Sequence, residues 1–232
     1  DYVIICTKSY DLKAVCNQIK PCIKSKTILL PLLNGVNNSE LIQKEFQSNL
    51  VLQGFVFIVS RILEEGQIEN MGNVQSLYFG IKNGKSKQLE PFENILKKAG
   101  IEANLTENIS ALIWEKFIFL SSLASATSYY NCTIGDLLIH LEKKETLLGL
   151  VKEVINLSIQ FGIKTKPSIF RLTIQKMEKI PPYLTSSMHR DFMNKKANTE
   201  LEALTGFVVH EAKKKGLSTP IFDKIYQKLA NQ

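Results

Sequence analysis

Lys116 stands at the head of a run that holds no other charge. Trp114-Glu115-Lys116 is followed by Phe117 to Ser128, in which every residue is apolar, small or a hydroxyl. A lysine held in such surroundings loses hydration, its pKa falls, and it becomes able to give up a proton near neutral pH. The plainer alternative is that its ammonium snorkels to water or pairs with Glu115 or another carboxylate, and on this stretch alone that alternative is favoured. A second concentration of polar chemistry runs from Thr185 to Glu200 and holds Ser186, Ser187, His189, Arg190, Asp191, Asn198 and Thr199. Each of these has an ordinary role open to it. The serines suit a turn, His189 suits a polar surface, and Asp191 suits a helix cap or a pair with Arg190. Glu200 suits the first turn of a helix, where the dipole favours a carboxylate. Lys8 and Asn34 complete the set, each just after an apolar run.

The elements around these residues can be read from their patterns. Asn108 is a plausible N-cap, and neither proline nor glycine interrupts the stretch to Tyr130, so a helix buried on most of its surface is predicted there. Tyr2 to Cys6 and Thr27 to Leu33 read as buried strands, with helices from about Asp11 to Ile19 and from a cap at Ser39 to Phe46. Strand, helix, strand, helix is the pattern of a parallel sheet with crossover helices, whose ligands sit beyond the C-terminal ends of the strands. Lys8 and Asn34 fall at those ends. From Leu50 the reading becomes strands without helices between them: Val51 to Ile62, Gly66 to Asn70 and Ser76 to Gly80, an antiparallel extension of the sheet. A helix from about Leu89 to Ala99, stopped by Gly100, and a strand at Ile101 to Leu105 close this part. Beyond Asn108 the chain reads as helical throughout: Glu145 to Phe161, a helix with Pro167 in its first turn, one capped by Asn198 or Thr199, and one opened by Thr219-Pro220. The predicted organisation is therefore an α/β part over 1–105 and an all-helical part over 106–232.

Composition narrows the functional classes. The 232 residues are 44% hydrophobic and 22% charged, an ordinary globular balance. Four cysteines and three scattered histidines lack metal-ligand spacing, so no metal site is expected, and free thiols fit a reducing cytoplasm. No secretory signal opens the chain, and the serines after Phe117 are read as breaking up any membrane span. The net charge of +7 comes largely from lysine clusters near helix ends, such as Lys143-Lys144 and Lys213 to Lys215. These are read as solvated surface, because no aromatic-basic interleaving or recognition motif accompanies them.

Lys8, Asn34-Gly35, Trp114-Glu115-Lys116, Asn131 to Gly135, Ser186-Ser187-Met188 and Thr199-Glu200 together resemble, in order and spacing, the ketopantoate reductases. The resemblance covers almost the whole chain, including the closing Gly216 to Pro220. It implies a partial Rossmann-type sheet that binds NADPH, followed by a helical substrate and catalytic domain, with reduction of a 2-oxo acid to a 2-hydroxy acid between them. By that resemblance Lys116 is the proton donor. Asn34 contacts cofactor and substrate, Lys8 lies near the nicotinamide ribose, and Ser187 binds the substrate carboxylate. Glu200 binds cofactor or substrate hydroxyls and helps to position Lys116.

Two departures accompany it. The family opens with a strand and a G-x-G-x-x-G loop for the cofactor pyrophosphate, and this chain has no such motif. It is therefore expected to represent the later three quarters of such an enzyme. Asparagines that pantoate-type members carry one and two turns after the lysine, and again before Gly135, are here Leu120, Ala124 and Ile134. The expected partner is a small 2-oxo acid, with a homodimer possible and neither nucleic acid nor membrane expected. The rival expectation is a non-catalytic relative that serves as a binding or dimerisation module.

Overall fold

A computed structural model describes residues 1–70 and 75–231, with Arg61 by its backbone alone. The chain forms two compact units, Asp1–Ile113 and Trp114–Gln232.

In the first unit, β1 (Tyr2–Ile5) and β2 (Ile28–Pro31) pair in parallel, with α1 (Leu12–Ile19) in the connection between them. Every residue of β2 is apolar because successive side chains face opposite, equally covered sides of the sheet. Leu29 packs with Leu12, Cys16, Ile42 and Phe46 on one side, and Leu30 packs with Phe79, Leu89, Phe92 and Leu96 on the other. α2 (Asn38–Glu45) belongs to the first of these layers and α3 (Glu90–Lys98) to the second. The helix α2 is entered through Asn37, two residues earlier than the Ser39 cap read from the sequence.

β2 continues to β3 (Gln53–Phe57) through the parallel bridge Leu29 to Val51. The apolar run Val51 to Ile62 is not one strand. It splits after Phe57, and β4 (Ser60–Glu64) turns at Gly66 to pair with β5 (Gln67–Asn70) as a separate hairpin that exposes Ile62 and Ile68. Hydrophobicity alone could not mark the split, since only the first half of the run has a partner strand inside the sheet. That partner is β6 (Ser76–Gly80), antiparallel to β3; β7 (Glu102–Leu105) then pairs with β6 in parallel. The extension is thus mixed, because α3 carries the chain back across the sheet before β7 begins.

The second unit is helical throughout. Its centre is α4 (Ile109–Tyr130), with every residue from Ser121 to Ser128 buried. The hydroxyls there do not make the helix polar: Ser121 Oγ donates to the Phe117 carbonyl at 2.7 Å and Thr127 Oγ1 to that of Leu123 at 2.8 Å. By length and composition α4 therefore does match a membrane span, contrary to the reading from its serines, yet 61% of its apolar window is buried inside the structure. The helix ends at Asn131, whose φ of +48° is left-handed, and the Cys132 N–H closes back on the Thr127 carbonyl at 3.2 Å. A capping box of Thr133 and Asp136 opens α5 (Ile134–Ile139). Gly135 is required there by close approach, since a Cβ would stand 2.8 Å from that of Pro182.

The remaining helices are α6 (Leu141–Gln160), α7 (Ile169–Glu178), α8 (Ser187–Met193), α9 (Phe207–Lys214) and α10 (Pro220–Leu229). Pro167 lies in the turn before α7 rather than in its first turn. α6 buries Leu147, Leu150, Val151, Val154 and Leu157, an apolar stripe at helical spacing. Its Glu153 carboxylate accepts the Ile221 and Phe222 N–H groups, both at 3.0 Å, and so caps α10 from a neighbouring helix. Burial raises the Glu153 pKa despite those two bonds, so the gain lies in satisfying the two donors. Glu153→Ala should lower stability by about 1–2 kcal/mol, a cap's worth. Chemical denaturation checks this, and an unchanged midpoint would show that the cap contributes nothing.

Candidate active site

The sequence places a lysine near the start of the helix at the centre of the second unit. Lys116 is partly buried on α4, one turn before the wholly buried stretch. Loss of hydration is the main influence on it and lowers its pKa from 10.5 to about 8; the Glu200 carboxylate opposes this and draws it back upward. Glu200 is 2% exposed and stands just before a five-residue π-helical segment, Glu202–Gly206, that runs into α9. Ahead of it, Thr199 Oγ1 accepts the Leu201 N–H at 3.3 Å, which fits the cap read from the sequence. A carboxylate this deep needs a cation near it, and a lysine this desolvated gains from an anion, so each makes the other tolerable. Lys116 and Glu200 thus act on one another in the folded unit, 84 residues apart in the chain. Of the partners the sequence left open for the lysine, Glu115 or another carboxylate, Glu200 is the one that acts on its proton.

An aromatic cluster joins α4 to residues distant in sequence. Trp114 meets Phe117, Phe161 and Phe207 at centroid separations of 5.1–6.2 Å. On α4, Leu120 and Ala124 follow Lys116 at intervals of four, which puts all three on one stripe. Ala124 and Ile134 are fully buried, and Leu120 is half-buried.

Ser187 is the first residue of α8 and is half-buried. Ser186 before it is the cap of that helix, with its Oγ accepting the His189 N–H at 3.0 Å. Two residues here depart from their expected roles. His189 is buried, 8% exposed, rather than a surface residue, with Nδ1 at 2.5 Å from Thr185 Oγ1 and Nε2 at 2.8 Å from Asn131 Oδ1. Burial, with the Arg190 charge beside it, holds its pKa below the usual histidine value. Asp191 is buried too and pairs with Lys196 at 2.6 Å, while the Arg190 guanidinium donates to the Thr185 carbonyl at 3.0 Å. The one sign of the His189 contact in the sequence is Asn131 itself, a residue that tolerates left-handed backbone just past a long helix.

Lys8 and Asn34 belong to the first unit. Each lies three residues beyond one of the two parallel strands, Lys8 after β1 and Asn34 after β2, and the strands are joined at that end by the Leu32 N–H to Ile5 carbonyl bond of 2.9 Å. The Asn38 side chain holds the turn by donating to the Asn34 carbonyl at 3.0 Å. A cation and an amide at the carboxyl ends of neighbouring parallel strands suit a dinucleotide cofactor. No group of histidines, cysteines and carboxylates able to hold a metal occurs among the described residues.

Comparison with known proteins identifies a family for the chain. The family "Ketopantoate reductase PanE/ApbA C terminal" matches residues 108–232, and "Ketopantoate reductase PanE/ApbA" matches residues 1–84. Among curated relatives, the uncharacterized oxidoreductase YkpB of Bacillus subtilis is 27% identical over 230 residues, covering 99% of this chain and 76% of its own length. The structure of 2-dehydropantoate 2-reductase from Porphyromonas gingivalis is 28% identical with a TM-score of 0.82, and the match covers 99% of this chain and 72% of that one. The ternary structure of D-mandelate dehydrogenase with NADH and anilino(oxo)acetate is similar in fold at 20% identity, TM-score 0.87, covering 98% of this chain and 74% of that one.

Proposed function

The chain belongs to the ketopantoate reductase family, and on that premise we propose that it reduces a 2-oxo acid to the 2-hydroxy acid with NADPH. The observation that carries this is the desolvated lysine at a pKa of about 8, opposed to a buried glutamate. A general acid works best when its pKa lies near the working pH, and Lys116 meets that condition without being stripped of charge. In this reading residues 1–105 hold the cofactor through Lys8 and Asn34, and residues 106–232 hold the substrate and the catalytic groups. Asn34 also contacts the substrate, and Ser187 binds its carboxylate.

Bound NADPH supplies a hydride to the carbonyl carbon. Lys116 Nζ supplies the proton to the carbonyl oxygen, so the C=O bond becomes C–OH and the lysine is left neutral. Glu200 keeps the ammonium charged and directed between turnovers and accepts hydrogen bonds from ligand hydroxyls. The apolar surroundings of Lys116 exclude water from the proton transfer, which strengthens every electrostatic contact there. Oxidation of NADPH, followed in the full-length protein against a panel of 2-oxo acids, tests the reading. Turnover with at least one of them is expected, and none with any would refute it.

A further inference from the structure

Two hydrogen-bonded latches tie the turn before α8 to the last turns of α4. The first is a chain of hydroxyls: the His189 N–H donates to Ser186 Oγ, which shares a 2.8 Å hydrogen bond with Thr127 Oγ1, and Thr127 Oγ1 in turn reaches the Leu123 carbonyl at 2.8 Å. With Thr127 donating to Leu123, the Ser186 hydroxyl must donate to Thr127, so every donor along the chain is used once. The second is the imidazole of His189. Asn131 Oδ1 accepts at 2.8 Å, which requires a hydrogen on Nε2 and leaves Nδ1 as an acceptor for the Thr185 hydroxyl, whose other acceptor within reach is the Ser186 carbonyl at 3.1 Å. The two latches have different anchors on α4, one within the helix and one at its left-handed C-terminal residue.

Their position matters. Thr127 lies three residues beyond Ala124 on the stripe that also holds Leu120 and Lys116, eleven residues or very nearly three turns from the lysine. Ser187 directly follows the latched Ser186. We infer that the His189–Asn131 hydrogen bond is a positioning device: it fixes Ser187 against the Lys116 stripe so that a substrate carboxylate is held in register with the proton donor. The inference rests on the reductase reading above. His189 touches no reacting atom; it acts through Ser187.

The test uses three variants of the full-length protein. Asn131→Gly retains the left-handed backbone but removes the amide acceptor. His189→Leu removes the ring donor, and His189→Gln restores a donor toward Asn131. A neutral hydrogen bond of ordinary strength corresponds to roughly tenfold. Asn131→Gly and His189→Leu should therefore raise KM for the 2-oxo acid about tenfold, with kcat and KM for NADPH within about twofold of the parent. His189→Gln should recover most of the loss. Nitrogen NMR of the ring should show the Nε2-protonated neutral form in the parent and a loss of that bias in Asn131→Gly. Parent activity with unaltered KM in Asn131→Gly and His189→Leu would overturn this inference alone, as would kcat, KM and melting temperature shifting together without rescue by glutamine. Absence of any 2-oxo acid reduction by the parent would overturn the reductase reading, and this inference with it, even if the ring tautomer is as stated.

Discussion

Replacement of Lys116 by alanine is expected to lower turnover by about 10²–10⁴-fold, the usual contribution of a general acid, with NADPH affinity nearly unchanged. The proton that Lys116 gives up also sets the pH profile. With a pKa of about 8, the lysine is charged at neutral pH, so 2-oxo acid reduction should fall as pH rises through about 8 and the reverse oxidation should rise. Glu200→Ala should weaken ligand binding as well as turnover, because its carboxylate both restrains Lys116 and faces ligand hydroxyls in the proposed mechanism. If the two residues act as one unit, the double variant should be little worse than the worse single one. A lysine of purely structural importance predicts the opposite pattern: a lowered melting temperature, with normal kinetics in the folded fraction. Steady-state kinetics beside a melting curve for each variant separate the two, and near-normal turnover in Lys116→Ala would end the assignment.

The same lysine makes a prediction about stability. Its pKa in the folded chain lies below its ordinary value of 10.5. Below about pH 8 it is protonated in both folded and unfolded states, and the partly buried charge is a constant cost. Between about 8 and 10.5 the folded chain has released the proton while the unfolded chain still holds it, so stability rises with pH across that window. Lys116→Met should abolish this rise and leave the contribution of other groups in place. Denaturation midpoints measured at intervals from pH 7 to 10 give the comparison.

What was legible from the sequence divides along physical lines. β2, α4 and the layered core announced themselves, because burial on both faces of a strand and around most of a helix leaves long uninterrupted apolar runs. β1 was legible as a strand for the same apolar run, but its Tyr2 and Ile4 are exposed rather than buried. The candidate site was legible at Lys116 for the same reason, a charge standing out against such a run. Glu200 required the family resemblance, since a carboxylate near a helix start is ordinary and nothing local marks it as 2% exposed. The split of Val51 to Ile62 was not legible, because pairing with β6 rather than hydrophobicity decides where β3 ends. Nor was the burial of His189 and Asp191, whose partners Asn131 and Lys196 are chosen by how the turn before α8 meets α4 and by the local course of the chain after α8. Polar residues near a turn look alike in sequence whether the turn faces water or a helix.

The residues beyond Lys116 on its own stripe carry the second large expectation, which concerns what the pocket accepts. Where the resemblance implies asparagines, this chain has Leu120, Ala124 and Ile134, and the latter two are fully buried. A substrate hydroxyl brought against them would lose its water and gain no partner, at about 1–3 kcal/mol for each group left unpaired. An apolar pocket rejects a hydroxylated analogue of similar size only moderately, by about 10²-fold, whereas a pocket built on amide donors rejects the analogue that lacks the hydroxyl far more strongly. The full-length protein should therefore favour an apolar, branched or aromatic 2-oxo acid over ketopantoate by about 10² in kcat/KM. Leu120→Asn is the informative variant, because leucine and asparagine are close in size and the position is only half-buried, so the fold should tolerate it. It should move the ratio of the two kcat/KM values toward ketopantoate by about tenfold, one hydrogen bond's worth, whatever it does to either value alone. Competition between the two acids in one reaction mixture reads that ratio directly. Ketopantoate as the clearly preferred substrate of the parent protein would show that the three apolar side chains do not line the substrate's hydroxyl-bearing end.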